Sequence, residues 1–233
     1  MVIPTPISTF AKNKPTMLAT KVLASGITHL TDARYFASWE VDYLAFPIGE
    51  GVAESISWDY LNALREWVAG PTIVAELGQI EDGAAWAELL QQQKVDTVLV
   101  SSAAPASAPE KLNEAGIKVI VHVPVAGHQS SDDVAETIAD HPQATLILLD
   151  FEQGGITWND LVAGHPFGLP ALAKILNNRP CLLQISLDGA NPQELKDTYP
   201  VAGFAVRGSS EEKVGYKGFD DLDDLFEGLE VFS

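Results

Sequence analysis

Positive charge is scarce in this sequence: 14 Lys and Arg stand against 32 Asp and Glu in 233 residues, a formal net charge of −18 with the histidines neutral. Such a chain has no broad basic field, which argues against nucleic acid or an anionic membrane as a partner. A small anion is still permitted, because backbone amides and one or two cations hold a phosphate even inside an acidic protein. Cysteine is nearly absent. Cys181 stands alone, so no intrachain disulfide forms, and a reducing, cytoplasmic compartment is expected. It lies in an apolar run that marks it as core. No stretch approaches the roughly 18 apolar residues of a membrane helix. The opening segment MVIPTPISTFAKNKPT has three prolines and no continuous apolar run, so it reads as an extension rather than a signal peptide. Histidines are few and scattered. His122 and His128 are six apart across a strand exit, and His29, His141 and His165 lie elsewhere without acids or cysteines in register. No metal and no cofactor are therefore expected.

What the sequence does have is alternation. Short apolar, β-prone runs and amphipathic helical segments follow one another at a spacing of roughly 25 to 30 residues, the mark of a parallel α/β fold. The strands are expected at Leu18–Ala24, Tyr43–Pro47, Thr72–Leu77, Thr97–Ser101, Lys118–Val123, Thr145–Asp150, Cys181–Ser186 and Gly203–Val206. The helices between them are expected at Thr31–Trp39, Ser57–Ala69, Asp82–Gln93, Pro109–Ala115, Ser131–Ala139, Leu169–Leu176 and from Pro192, with a last one at Phe219–Leu229. Ser57 and the acids Asp132 and Asp133 suit helix starts, and Pro192 suits a first helical position. The third helix should turn Ala85, Trp86, Leu89 and Leu90 inward, and the last should gather Phe219, Leu222, Phe226 and Leu229 on one face. Near-continuous apolar strands such as VIVHV and TLILL suit a sheet covered on both faces. Eight units can close into a barrel, with an open doubly wound sheet as the alternative. Residues 1–16 then form an extension and 17–233 one domain, a length that fits an eight-unit barrel.

The chemistry concentrates in two places. Lys21-Val-Leu-Ala24 runs into Ser25 and Gly26-Ile-Thr, then a helix that Thr28 or Thr31 can cap. Asp150 ends the run TLILL, placing a carboxylate where a strand meets its loop. In parallel α/β folds that end of the sheet carries the ligand site, although a carboxylate there also serves as a loop brace. The Gly154-Gly155 pair that follows is a weak signal alone, open to two readings, a glycine-rich ligand loop and a flexible lid. His122, on a strand, reads as a core or mouth residue.

The residues KVLASGITHLTDARYF resemble the opening of phosphoribosylanthranilate isomerase, through Lys21, Gly26-Ile27-Thr28 and Asp32-Ala33. The resemblance implies a (β/α)8 TIM barrel and an Amadori rearrangement in tryptophan biosynthesis. There a phosphoribosyl amine opens to an imine and loses its C2′ proton, with one acid and one base on opposite sides. It places the general acid on Asp150 and puts Ser25 where the family has its catalytic cysteine. A thiol near pKa 8.5 is easily tuned into the working range, whereas a serine needs a neighbouring base. Phosphate binding is implied for the loops after the seventh and eighth strands, here Gly189, Arg207, Gly208 and Ser209. Arg207 supplies charge where the family relies on glycines; its alternative role is a rim pair with Asp188 or Glu211. The family's strand-eight aspartate is Ala205, its Ser-x-Arg loop after strand two reads GEGVAES, and its QLHG reads LVSS. The expectation is an isomerase-like protein with a small anionic or phosphosugar ligand. The alternatives are an isomerase of another phosphosugar and a non-catalytic barrel that binds a ligand or partner.

Overall fold

Residues that alternate along a strand must face opposite ways. In this chain the inward set closes on itself: Leu23, Ala45, Val74, Leu99, Ile120, Leu148, Leu182 and Ala205 pack as one apolar cluster. In the computed structural model, which describes residues 17–49, 52–208 and 219–231, this cluster fills the interior of a closed, eight-stranded parallel barrel. The strands are β1 (Lys21–Ser25), β2 (Tyr43–Pro47), β3 (Thr72–Gly78), β4 (Thr97–Ser101), β5 (Lys118–Pro124), β6 (Leu146–Asp150), β7 (Cys181–Gln184) and β8 (Gly203–Arg207). Closure comes from β1 pairing with β8, Lys21 opposite Gly203 through Ser25 opposite Arg207. The other strand face packs against a ring of helices in a second, larger core that includes Phe36, Phe46, Leu61, Leu90 and Phe226. The barrel is thus the expected one, and the open-sheet alternative is excluded.

The helices are α1 (Leu30–Ser38), α2 (Trp58–Arg65), α3 (Gly83–Gln92), α4 (Ser107–Glu114), α5 (Ser131–Ala139), α6 (Trp158–Ala163), α7 (Leu169–Asn178), α8 (Pro192–Thr198) and α9 (Asp220–Leu229). Local chemistry explains several starts. Ser57 accepts from Tyr60 N–H, Asp82 from Ala84 and Ala85 N–H, and Ser130 forms a reciprocal capping box with Asp133. α1 departs from expectation: its N-cap is His29, whose side chain makes no capping bond, so neither threonine caps it.

Four further differences have physical reasons. Leu18, the expected start of the first strand, lies outside β1; Met17–Leu18 pair antiparallel with Glu230–Val231, a small ladder joining the two ends of the described chain. α3 buries Gly83, Ala87 and Leu90 and leaves Ala85 exposed. Its face is rotated because Gly83 lies against α4, where an added Cβ would come 2.1 Å from the Ala108 carbonyl oxygen. β7 ends at Gln184, and Ser186 instead makes an isolated bridge with Thr157. Finally, α6 has no counterpart among the expected helices; a Thr157–Asp160 capping box starts it. Residues 1–16 and 209–218, hence the proposed extension and Ser209, Ser210 and Glu211, lie outside the described residues. No helix among the described residues is long and apolar enough to cross a membrane.

Candidate active site

One step along each strand from the apolar interior, the inward positions at the C-terminal mouth become polar: Ser25, Glu76, Ser101, His122, Asp150, Gln184 and Arg207. Two of them form a pair. Asp150, 1% exposed, accepts at Oδ1 from the Gln153 N–H at 2.9 Å, and its Oδ2 lies 2.9 Å from His122 Nε2. The register puts Leu148 opposite His122 and Asp150 opposite Pro124, so the two side chains rise from neighbouring strands into one corner. His122 keeps 20% of its side chain open to solvent. Asp150 is therefore both a loop brace and the hydrogen-bond partner of His122.

The chain then makes a 3-10 turn, Glu152–Gly154. Glu152 accepts at Oε2 from Gln184 Nε2 at 3.2 Å. Together with Asp150, Gln153 and Arg207, these two line a cavity of 390 Å³. Glu152 is exposed as a residue, but the groups packed around its carboxyl strip away part of its hydration. That partial desolvation raises the carboxyl above the usual glutamate range; Gln184 offsets part of the rise, Asp150 adds to it, and Arg207 opposes it. Arg207 forms no ion pair among the described residues. Gln184 is 1% exposed, and its Oε1 has no hydrogen-bond partner among the described residues.

Sequence reasoning missed Glu152 and Gln184 and did not pair His122 with Asp150. The available signal was period two: Gln184 shares the inward face with Leu182, as His122 does with Ile120.

The Gly154-Gly155 pair forms a hydrogen-bonded turn. Gly154 N–H donates to Phe151 O and Gly155 N–H to Glu152 O, Gly155 takes φ +65°, and buried Phe151 and Ile156 anchor both sides. A Cβ on Gly154 would lie 2.1 Å from the Val125 carbonyl oxygen. Gly154→Ala should therefore cost about 1–3 kcal/mol through overpacking and shift Glu152 and the Gln153 N–H away from Asp150. Thermal unfolding and ligand binding measured together check this; a variant unchanged in both would show that the turn yields freely.

Across the mouth, Ser25 is 1% exposed and its hydroxyl donates to Val206 O at 3.3 Å, its one side-chain hydrogen bond among the described residues. Its carbonyl accepts from Gly208 N–H at 2.7 Å, and the next amide, Gly26 N–H, donates to Glu76 Oε2 at 3.0 Å. Gly208 has little room for a side chain: a Cβ would sit 3.1 Å from Gly26 O and 3.4 Å from buried Asp32 Oδ2. The motif's Gly26 and Asp32 thus pack close to Gly208, where β1 and β8 exit, and the Gly208 amide is already committed to Ser25 O. Gly189, at φ +83°, lines a second cleft of 690 Å³ between the β7 and β8 exits and α9, with Asp188, Asp224 and Glu227. Asp188 accepts from Ser186 Oγ. All the expected site residues that are described lie at the one mouth. Arg207 and Gly189, however, line different cavities, and Glu152 is shared by both. Ala205 sits one layer lower, packed in the apolar interior beside Leu23.

No family model matches this chain, and no curated protein matches it. Solved structures do. Phosphoribosylanthranilate isomerase from Thermotoga maritima superposes with a TM-score of 0.68 at 19% identity, over 90% of this chain and 98% of that one. The isomerase from Thermus thermophilus gives 0.64 at 21%, over the same shares. The 3-keto-L-gulonate-6-phosphate decarboxylase of Vibrio cholerae gives 0.55 at 18%, over 91% and 98%. At these identities the likeness establishes a shared barrel fold, on which this chain carries its own set of mouth residues.

Proposed function

We propose that this chain is an acid–base isomerase of the phosphoribosylanthranilate isomerase kind, acting on a small sugar-derived substrate with an anionic group. The observation that carries this is the buried Asp150, set against His122 at the end of β6. Asp150 protonates the ring oxygen of a ribosylamine, and His122, partly open to solvent, restores the proton through the 2.9 Å contact. Ring opening leaves an imine, whose C2′ proton is then removed to give the aminoketose. The strand-one motif and the solved isomerases support the same reading. Growth of a cell lacking this isomerase on a plasmid carrying the present gene, with turnover by the purified protein, tests it. Neither growth nor turnover would remove the reading.

The anion is assigned to Arg207 and the adjoining Gly208, with Gly189 on the neighbouring cleft; Ser209 lies outside the described residues. With the Gly208 amide already bonded to Ser25 O, most of the attraction falls on the guanidinium. Arg207→Ala should weaken phosphate binding by about 1.5–3 kcal/mol, the range for a hydrogen bond to a charged group. Calorimetric titration of both proteins with phosphate checks it, and equal affinity would take the anion away from Arg207. A second reading, a ligand-binding barrel without turnover, is favoured by Ser25, whose hydroxyl is tied to the Val206 carbonyl rather than to a base.

A further inference from the structure

We infer that Glu152 is the second proton-transfer group of this mouth, taking the carbon-bound proton from a hydroxycarbonyl substrate, or its imine, while Gln184 receives a substrate hydroxyl. The inference rests on the acid–base reading above and supplies what that reading lacks, a base. Ser25 cannot fill the role: its hydroxyl is buried and bonded to a backbone carbonyl. Glu76 is tied to the Gly26 amide and lines neither cavity. Glu152 instead shares a cavity with Asp150 and Arg207 and is held there by Gln184 and by the turn that Gly154 packs against Val125.

Gln184 is the independent sign of a ligand. A buried acceptor with no donor is costly, and few exist in folded proteins. Among the described residues Gln184 Oε1 is one, on a side chain whose other end already holds Glu152. Gln184 lines the 390 Å³ cavity, and a turn of its amide toward that space would let a ligand hydroxyl satisfy the oxygen. The guanidinium of Arg207, in the same wall, suits the oxygen on which negative charge develops.

Glu152 carboxylate takes the proton from the carbon beside the carbonyl, and the C–H electron pair becomes the C=C bond of an enediol. The carbonyl π pair moves to oxygen, which takes the proton held by the Asp150–His122 pair. The reverse sequence on the neighbouring carbon returns both protons and leaves the isomeric carbonyl.

Exchange of the C1 and C3 protons of D-ribulose 5-phosphate in D₂O, followed by proton NMR, tests this. Wild type should exchange them above the buffer rate, and the rate should rise with pD through the elevated Glu152 range and then level. The charged groups facing Glu152 are Asp150, backed by His122, and Arg207, with Asp188, Asp224 and Glu227 along the adjoining cleft. Glu152→Gln should lower the plateau about 10²-fold, the low end for a general base, and flatten the rise. The fold should respond in the opposite direction. A glutamate raised by folding binds its proton more tightly in the native state, so its contribution is present below the unfolded pKa and lost as pH rises through the folded one. Glu152→Gln should therefore melt no lower than wild type at neutral pH. A Glu152→Gln rate within threefold of wild type, with Asp150→Asn inactive, would overturn the role of Glu152 and leave the isomerase reading standing. No exchange by wild type would overturn both. If Glu152→Gln does not fold, carbon-detected titration of wild type labelled at glutamate carboxyls decides. Glu152 must then titrate above the other glutamates and shift on adding ribulose 5-phosphate, and failure to shift overturns the inference.

Discussion

Asp150→Asn should lower turnover by about 10²- to 10⁴-fold, the span that a positioned general acid contributes, while the protein melts close to wild type. The amide has the shape of the carboxyl. Its oxygen can still accept from the Gln153 N–H, and its NH₂ can face His122 Nε2 in the neutral imidazole. What disappears is the carboxyl that the proposed mechanism uses as its acid. The substitution therefore separates the two roles of Asp150. A catalytic acid loses rate and keeps the fold, whereas a pure loop brace keeps whatever rate there is. Turnover of a phosphoribosyl amine beside thermal unfolding of the same preparation distinguishes them. Rate within threefold of wild type would reduce Asp150 to the brace.

The strands and the position of Asp150 were legible in the sequence because both are local. TLILL ending in a carboxylate states its own strand and its own exit, and β2 and β4 fall on the expected residues. Less was legible where an element depends on a distant partner. Leu18 looks like the start of the first strand until the pairing of Met17–Leu18 with Glu230–Val231 claims it. Ala85 looks inward on a helical wheel, but the close approach of Gly83 to Ala108 rotates that face. The site shows the same limit. His122 and Asp150 are 28 residues apart, and Gln184 and Glu152 are 32 apart. Nothing in either local stretch indicates that neighbouring strands bring these groups into hydrogen-bond distance. The α6 start is a different case: Thr157-Trp-Asn-Asp160 is a local capping signal, obscured by the glycines before it and the HPFG turn after it.

Phe226→Ala should cost about 3–5 kcal/mol of stability, the usual loss for deleting a buried phenylalanine, and should disturb the mouth from a distance. Phe226 is fully buried on α9. Its ring stacks on Trp39 with centroids 5.1 Å apart, and it meets Phe36 at 6.0 Å and Tyr35 at 6.1 Å. Tyr35 in turn stacks on Phe219 at 3.9 Å. This aromatic cluster joins the last helix to α1, the first. Gly228 extends the joint to α8, where an added Cβ would come 2.6 Å from Pro192 Cγ. β1 and β8, the strands beside these helices, close the barrel, and their exits are tied by the Gly208 N–H to Ser25 O bond. Truncation removes the transfer energy of the ring and leaves a cavity between two helices whose backbones are already fixed by neighbouring contacts. Urea unfolding should show a lower midpoint with an unchanged slope. Phosphate affinity at Arg207 should fall with it, because Arg207 and Ser25 are register partners on the strand pair that the cluster backs. A loss below about 1 kcal/mol, the scale of a minor surface change, would mean that α9 packs on the barrel without helping to close it.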